Sequence, residues 1–269
     1  MSVSTSPPAV MPPPVPARRP WVGFVVDCLL AGLLLLAFTF AGMLGWMVLS
    51  AVMDPPAAAD PAAITARMES VMGIVPMLVV GSLAMLATAW VLYLLRRRAT
   101  PDERAVSRHA ATQARTWIEA TGLGVVLFAI GTALMWGLDA IGYQPEASNT
   151  RMLEEALAFS PWLLLGIAVL VAPLSEELLF RRVLFGRLWA AGAPLKGMIA
   201  SGLLFGLMHE IPAFGSGAVA TLILLVFYTL MGIAMAWIYR RLRTLWAPIL
   251  THATNNLLGC LAMIAGYGS

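Results

Sequence analysis

The sequence predicts an all-α, polytopic transmembrane bundle of about seven spans. Three observations carry this. Of 269 residues, 60% are hydrophobic and only 12% charged, where a soluble domain carries about 25% charged residues. Apolar runs near the ~20 residues needed to cross a bilayer recur along the chain. The basic residues fall in short blocks between those runs, as they do in the loops of membrane proteins. That blockwise spacing also excludes a nucleic-acid footprint.

Residues 1–20 are rich in Pro, Ser and Val and end in Arg18-Arg19, which reads as a disordered cytoplasmic tail with a basic flank. The apolar run that follows is too long for a signal-peptide core, so it is expected to remain as the first helix. Spans are expected near 22–50, 71–95, 119–142, 161–185, 197–214, 217–239 and 247–267. They divide into N-terminal helices over 21–159, with a basic loop at 96–118, and a C-terminal unit over 160–267. The span bearing Glu176 is expected to break at Pro173, because proline removes a backbone donor. The stretch from Asn149 to Phe159, with Glu154 and Glu155, reads as an amphipathic outer segment. Asp27, Glu119 and Asp139 fall near span ends and are expected to snorkel or cap.

With the N-terminus inside, 15 of the 17 basic residues lie on the inner side, and only Arg67 and Arg151 lie outside. The positive-inside rule therefore predicts a multi-pass inner-membrane protein whose N-terminus and basic loops are cytoplasmic. Arginine outnumbers lysine 16 to 1, a bias that suggests a bacterial source. No internal repeat is visible, which weighs against inverted-repeat transporters. Cys28 and Cys260 show neither metal-ligand spacing nor a disulfide framework.

Two adjacent glutamates, Glu176 and Glu177, interrupt the apolar run from Pro161 to Arg182. A carboxylate near mid-bilayer costs about 2.5–3.5 kcal/mol on insertion scales, so intramembrane acids are functional candidates. Glu177 and Arg181 are four apart and share a helical face, so Arg181 can neutralise Glu177. Glu176 points about 100° away and is left as a candidate general base. A structural alternative is that Ser175 caps a new helix after Pro173 and the acids favour its positive end. His209 follows Phe205 by one turn. His252 and Asn256 share one face of the last span and could donate to a developing oxyanion. Asn255 faces elsewhere. The zinc motif H-E-x-x-H is absent, because Ala213 stands where its second histidine would be.

This set resembles the CPBP intramembrane proteases, also called Abi or CAAX-protease-like proteins. Their pattern E-E-x-x-x-R, F-x-x-x-H, H-x-x-x-N reads here as Glu176-Glu177 with Arg181, Phe205 with His209, and His252 with Asn256. The resemblance covers roughly residues 160–265. It implies an intramembrane endopeptidase that cleaves membrane-associated proteins or peptides within the lipid bilayer. Glu176 and His209 would activate water, His252 and Asn256 would form the oxyanion hole, and Glu177, Arg181 and Phe205 would hold the site in shape. The metalloprotease form of this reading would make Glu176, His209 and His252 zinc ligands. The rival readings are a non-catalytic membrane immunity or scaffold protein and a proton-coupled transporter.

The spacing poses one geometric problem. His209 lies roughly 20 Å along its helix from Lys196, but His252 only about 9 Å from Trp246. Either the 197–214 span begins deeper or is tilted, or, the expected solution, a water-filled cavity open to the cytoplasm draws the Arg181 end inward.

Overall fold

A computed structural model describes residues 19–53, 64–65, 68–69, 71–210 and 217–266. Among them are nine helices and no strand: α1 (Pro20–Met53), α2 (Ile74–Arg96), α3 (Pro101–Ala111), α4 (Ala114–Asp139), α5 (Thr150–Phe159), α6 (Pro161–Ala190), α7 (Pro194–His209), α8 (Ala218–Leu242) and α9 (Trp246–Ile264). All seven expected spans appear as helices. Five of them, α1, α2, α4, α6 and α8, are long and apolar enough to cross a membrane. The remaining two fall short of that standard. α7 has 16 residues, and α9, with 19, carries His252, Asn255 and Asn256. The 1–18 part of the tail lies outside the described residues.

The two short extra helices follow from local chemistry. α3 starts at a capping box, in which the Thr100 hydroxyl accepts from the Glu103 amide and the Glu103 carboxylate accepts from the Thr100 amide. α5 is the expected amphipathic segment and ends at Ser160, whose hydroxyl then caps α6.

α6 is the central helix. It does not break at Pro173 but widens into two π-helical stretches, Gly166–Val171 and Leu178–Phe185. Wide turns are a usual way for a helix to absorb a local conflict. Around it packs a core that crosses the boundary between the two halves of the chain. Phe24 of α1, Met85 and Leu92 of α2, Leu127 of α4, Phe180 and Val183 of α6, Phe205 of α7 and Met235 of α8 belong to one cluster.

Ion pairs tie the basic segments together at one end of the bundle. Asp27 does not snorkel. It is fully buried and accepts from Arg96 at 2.7 Å and Arg187 at 2.5 Å. Two basic side chains converging on it make burial cheaper than exposure of a lone carboxylate would suggest. Arg182 reaches Glu103 at 2.6 Å, Arg241 reaches Glu119 at 2.6 Å, and Ser107 shares a hydrogen bond with Thr244 at 2.9 Å. The starts of α1, α4 and α9, the ends of α2, α6 and α8, and the whole of α3 therefore lie together.

α7 and α8 approach through glycines. A Cβ at Gly206 would lie 2.5 Å from Thr229 Oγ1 and 2.9 Å from the Leu225 carbonyl oxygen. One at Gly202 would lie 2.8 Å from the Thr229 carbonyl oxygen. Gly202 and Gly206 are four apart, the small-xxx-small spacing that lets transmembrane backbones meet. Gly206→Ala is expected to lower stability by about 1–3 kcal/mol through overpacking. Gly259→Ala, where a Cβ meets open space, is expected to leave stability unchanged or slightly raised. Thermal melting in detergent micelles measures both.

Candidate active site

The site is built on the Arg181 guanidinium. Arg181 and Glu177 are both fully buried, with Nε and Oε2 2.8 Å apart. They are one turn apart on α6, as the spacing predicted. The other Glu177 oxygen, Oε1, lies 3.0 Å from His252 Nδ1 on α9. Above the guanidinium lies the Phe205 ring, with 4.7 Å from Arg181 Cζ to the ring centroid, a cation–π distance. Met235 Sδ accepts from Nη2 at 3.4 Å. Protein groups thus surround Arg181, although its Nε and Nη1 have no partner within hydrogen-bond geometry.

Phe205 links the remaining residues. Its ring stacks on His209, with centroids 4.1 Å apart, and meets His252 edge-on at 5.8 Å. The His209 ring is also held by Tyr228 at 5.0 Å. His209 Nδ1 lies 2.9 Å from the Phe205 carbonyl oxygen, which can only accept. The bond therefore puts a proton on Nδ1, and neutral His209 presents a lone pair at Nε2. Nε2 lies 3.5 Å from Glu176 Oε2, longer than a direct hydrogen bond. That Glu176 oxygen is buried and has no hydrogen-bond partner.

The spacing problem is met by an offset start of α7 together with Phe205, whose ring lies between the two histidines. Arg97 at the end of α2 donates to the Gly186 carbonyl at 3.0 Å. α6 continues beyond that level to Ala190, and α7 begins beyond it too, since Gly197 packs on Phe185 and Leu188. Ser201 then donates to the Phe180 carbonyl at 2.8 Å. Measured from Gly197, His209 is still about 18 Å along its helix, while Phe205, at about 12 Å, lies nearer the ~9 Å from Trp246 to His252 and touches both histidine rings.

Asn256 lies one turn beyond His252 on α9, and its amide is already engaged. Its Nδ2 donates to the Ala168 carbonyl of α6 at 2.8 Å. In the wide register of that stretch the partner of Ala168 would be the amide of residue 173, which is a proline and has none. Asn256 supplies the missing donor and so pins α9 to α6. Asn255 does not turn away from it. Asn255 donates to Asn256 Oδ1 at 3.1 Å.

Sequence reasoning missed Glu210. It is fully buried beyond the end of α7, and its Oε2 accepts from the Ser148 amide at 3.1 Å. The link fastens the His209 end of α7 to the connection between α4 and α5. Its signal was an acid beside an intramembrane histidine.

As metal ligands, Glu176, His209 and His252 suit zinc by donor type, with each histidine's Nδ1 held by an oxygen. Their positions do not, because no three His, Cys, Asp or Glu side chains among the described residues are grouped to hold a metal ion. A cavity of about 850 Å³ lies along α6 at Leu174, Leu178 and Arg182. None of Glu176, His209, His252 and Asn256 lines it.

Residues 158–258, from the end of α5 to two residues past Asn256, match the model of a family described as type II CAAX prenyl endopeptidase Rce1-like. Over that segment the chain is similar to the CAAX-protease-like family. The chain is also 29% identical, over 135 residues, to the protein named "Putative membrane peptidase YdiL" from Bacillus subtilis (strain 168). That match covers 50% of this chain and 51% of the relative, so the chain spans about half the length of the curated relative it matches. No solved structure matches the chain. The matched segment contains all three motifs, and the fold brings Glu176, Glu177, Arg181, Phe205, His209 and His252 into one contiguous cluster, with Asn256 bonded to Ala168.

Glu177→Ala is expected to strand the buried Arg181 and lower stability by about 3–5 kcal/mol, as breaking a buried pair does. Reversible unfolding in detergent, followed by circular dichroism, reads the loss.

Proposed function

We propose that this protein is an intramembrane endopeptidase, cleaving peptide bonds of membrane-associated proteins or peptides with water activated by Glu176 and His209. One observation carries the reading. A buried Glu176 oxygen without a hydrogen-bond partner faces a histidine lone pair at 3.5 Å. A water between them would donate to both, and either could take its proton as hydroxide attacks the peptide carbonyl.

His252 stands across Phe205 with Nδ1 held by Glu177. Donation from Nε2 to the developing oxyanion requires both ring nitrogens to carry a proton, since Nδ1 already donates to the Glu177 carboxylate. Asn256 keeps one amide hydrogen beyond the bond to Ala168, and that hydrogen is the second candidate oxyanion donor. Glu177, Arg181 and Phe205 fix these groups without touching substrate. Zinc is assigned no step. The family match and the peptidase named in the relative support the reaction class; the substrate's sequence stays open.

Glu176→Gln keeps the shape and removes the base. Cleavage in proteoliposomes, or the set of new N-termini found by proteomics of expressing cells, is expected to fall about 10²–10⁴-fold with melting unchanged. Full cleavage by this variant would exclude the role given to Glu176.

The same reading places the basic end of the bundle in the cytoplasm, by the positive-inside rule. On a background lacking Cys28 and Cys260, a cysteine at Ala147 is expected to react with an impermeant maleimide from outside the cell, and one at Ala99 is not. The opposite pattern would reverse the orientation.

A further inference from the structure

At the basic end of the bundle, the cavity of about 850 Å³ opens among α2, α3, α6 and α9. It is separate from the Glu176–His209 pair, since neither residue lines it. Its walls carry Arg97, Arg104, Arg108, Arg182 and Arg243 against a single acid, Glu103. That acid is already taken. Arg182 donates to both Glu103 oxygens, at 3.2 and 2.6 Å. Burial works against the Glu103 charge, but the Arg182 bonds outweigh it and hold its carboxyl below the usual carboxylate range. The other four arginines have no acid in the cavity wall to balance them.

Arg97 shows this most directly. Its Nη2 donates to the Gly186 carbonyl, while its Nε is buried with no hydrogen-bond partner. Burial first, and the neighbouring Arg182 next, push its pKa below the ordinary arginine value. An anion placed here would relieve both penalties.

The cavity is not only basic. It runs down α6 to Leu178 and Leu174 and across to Trp90 and Ile249. Leu174 is eight residues from Arg182, about 12 Å along the helix. The ligand therefore needs an anionic head at the arginines and an apolar tail reaching at least that far. A free phosphate would satisfy the arginines and leave the apolar depth to water. A zwitterionic lipid would fill the depth but bring its own cation to the arginines.

We propose that this cavity holds one anionic phospholipid, its phosphate among Arg97, Arg104 and Arg108 and an acyl chain along Leu174, Leu178 and Ile249. Arginine forks match phosphate oxygens, and basic clefts between transmembrane helices are known seats for anionic headgroups.

The test is native mass spectrometry of the full chain, released from micelles holding equal amounts of phosphatidylglycerol and phosphatidylcholine. The wild type is expected to retain one phosphatidylglycerol in preference to phosphatidylcholine. Arg104→Gln with Arg108→Gln is expected to weaken that preference about fivefold for each arginine removed. Unchanged melting in phosphatidylcholine would establish that the double variant is folded; if it melts early, Arg108→Gln alone is read the same way. Inorganic phosphate is expected to leave the melting temperature unmoved. Equal retention of the two lipids, or an unaltered preference in the folded variant, overturns the proposal. Stabilisation by inorganic phosphate alone would assign the cavity to a soluble anion instead. Displacement of phosphatidylglycerol by an acidic amphipathic peptide would assign it to a peptide.

Discussion

A fully buried arginine is the constraint on which the rest of this structure depends. The Arg181 guanidinium has no exposure, and an isolated buried ion costs several kcal/mol even after relaxation. The protein meets that cost with contacts from four helices: Glu177 on α6, the Phe205 face on α7, Met235 on α8 and, through Glu177, His252 on α9. Two of these partners in turn hold a residue of the candidate site. Phe205 presents His209, and Glu177 orients His252. The two glutamates, adjacent in sequence, end up in different surroundings. Glu177 sits against Arg181 and His252, whereas Glu176 Oε2 faces the His209 ring at 3.5 Å.

The same helix carries a second device. Pro173 would leave a carbonyl unpaired wherever it sat within α6. The wide turn ahead of it moves that vacancy to Ala168, where Asn256 can reach it. A motif residue expected to act only on substrate is therefore also a joint between α6 and α9. Loss of activity on changing Asn256 would by itself not separate these roles. Glu210 acts comparably for α7, tying the His209 end to the amide of Ser148.

Much of this was legible in the sequence, for identifiable reasons. Hydropathy over some 20 residues marks spans strongly, so all seven segments appear as helices. The Glu177–Arg181 pair and the Phe205–His209 stack are both four-residue spacings, set by helix geometry alone. What escaped depends on contacts between distant segments. Asp27 looked like a residue at a span end, and only the arrival of Arg96 and Arg187 makes its burial tolerable. The Phe205 face and the Met235 sulfur beside Arg181 come from other helices, so spacing within α6 gave no sign of them. The offset start of α7 could not be read from spacing, which locates residues along a helix but not helices relative to each other. The Gly202–Gly206 spacing was present as a signal for the α7–α8 contact and passed unread.

The central claim is that Glu177 and Arg181 act as one unit that holds the site. A double-mutant cycle of Glu177→Gln and Arg181→Met, read as unfolding free energy in detergent, tests it most directly. The account predicts that each single change destabilises strongly, by leaving one partner buried alone. The double variant, which removes both charges, should recover a large part of that loss, with a coupling of about 2 kcal/mol or more. Losses that simply add, leaving the double variant as unstable as the sum of the singles, would show that the two side chains are held independently and contradict the account.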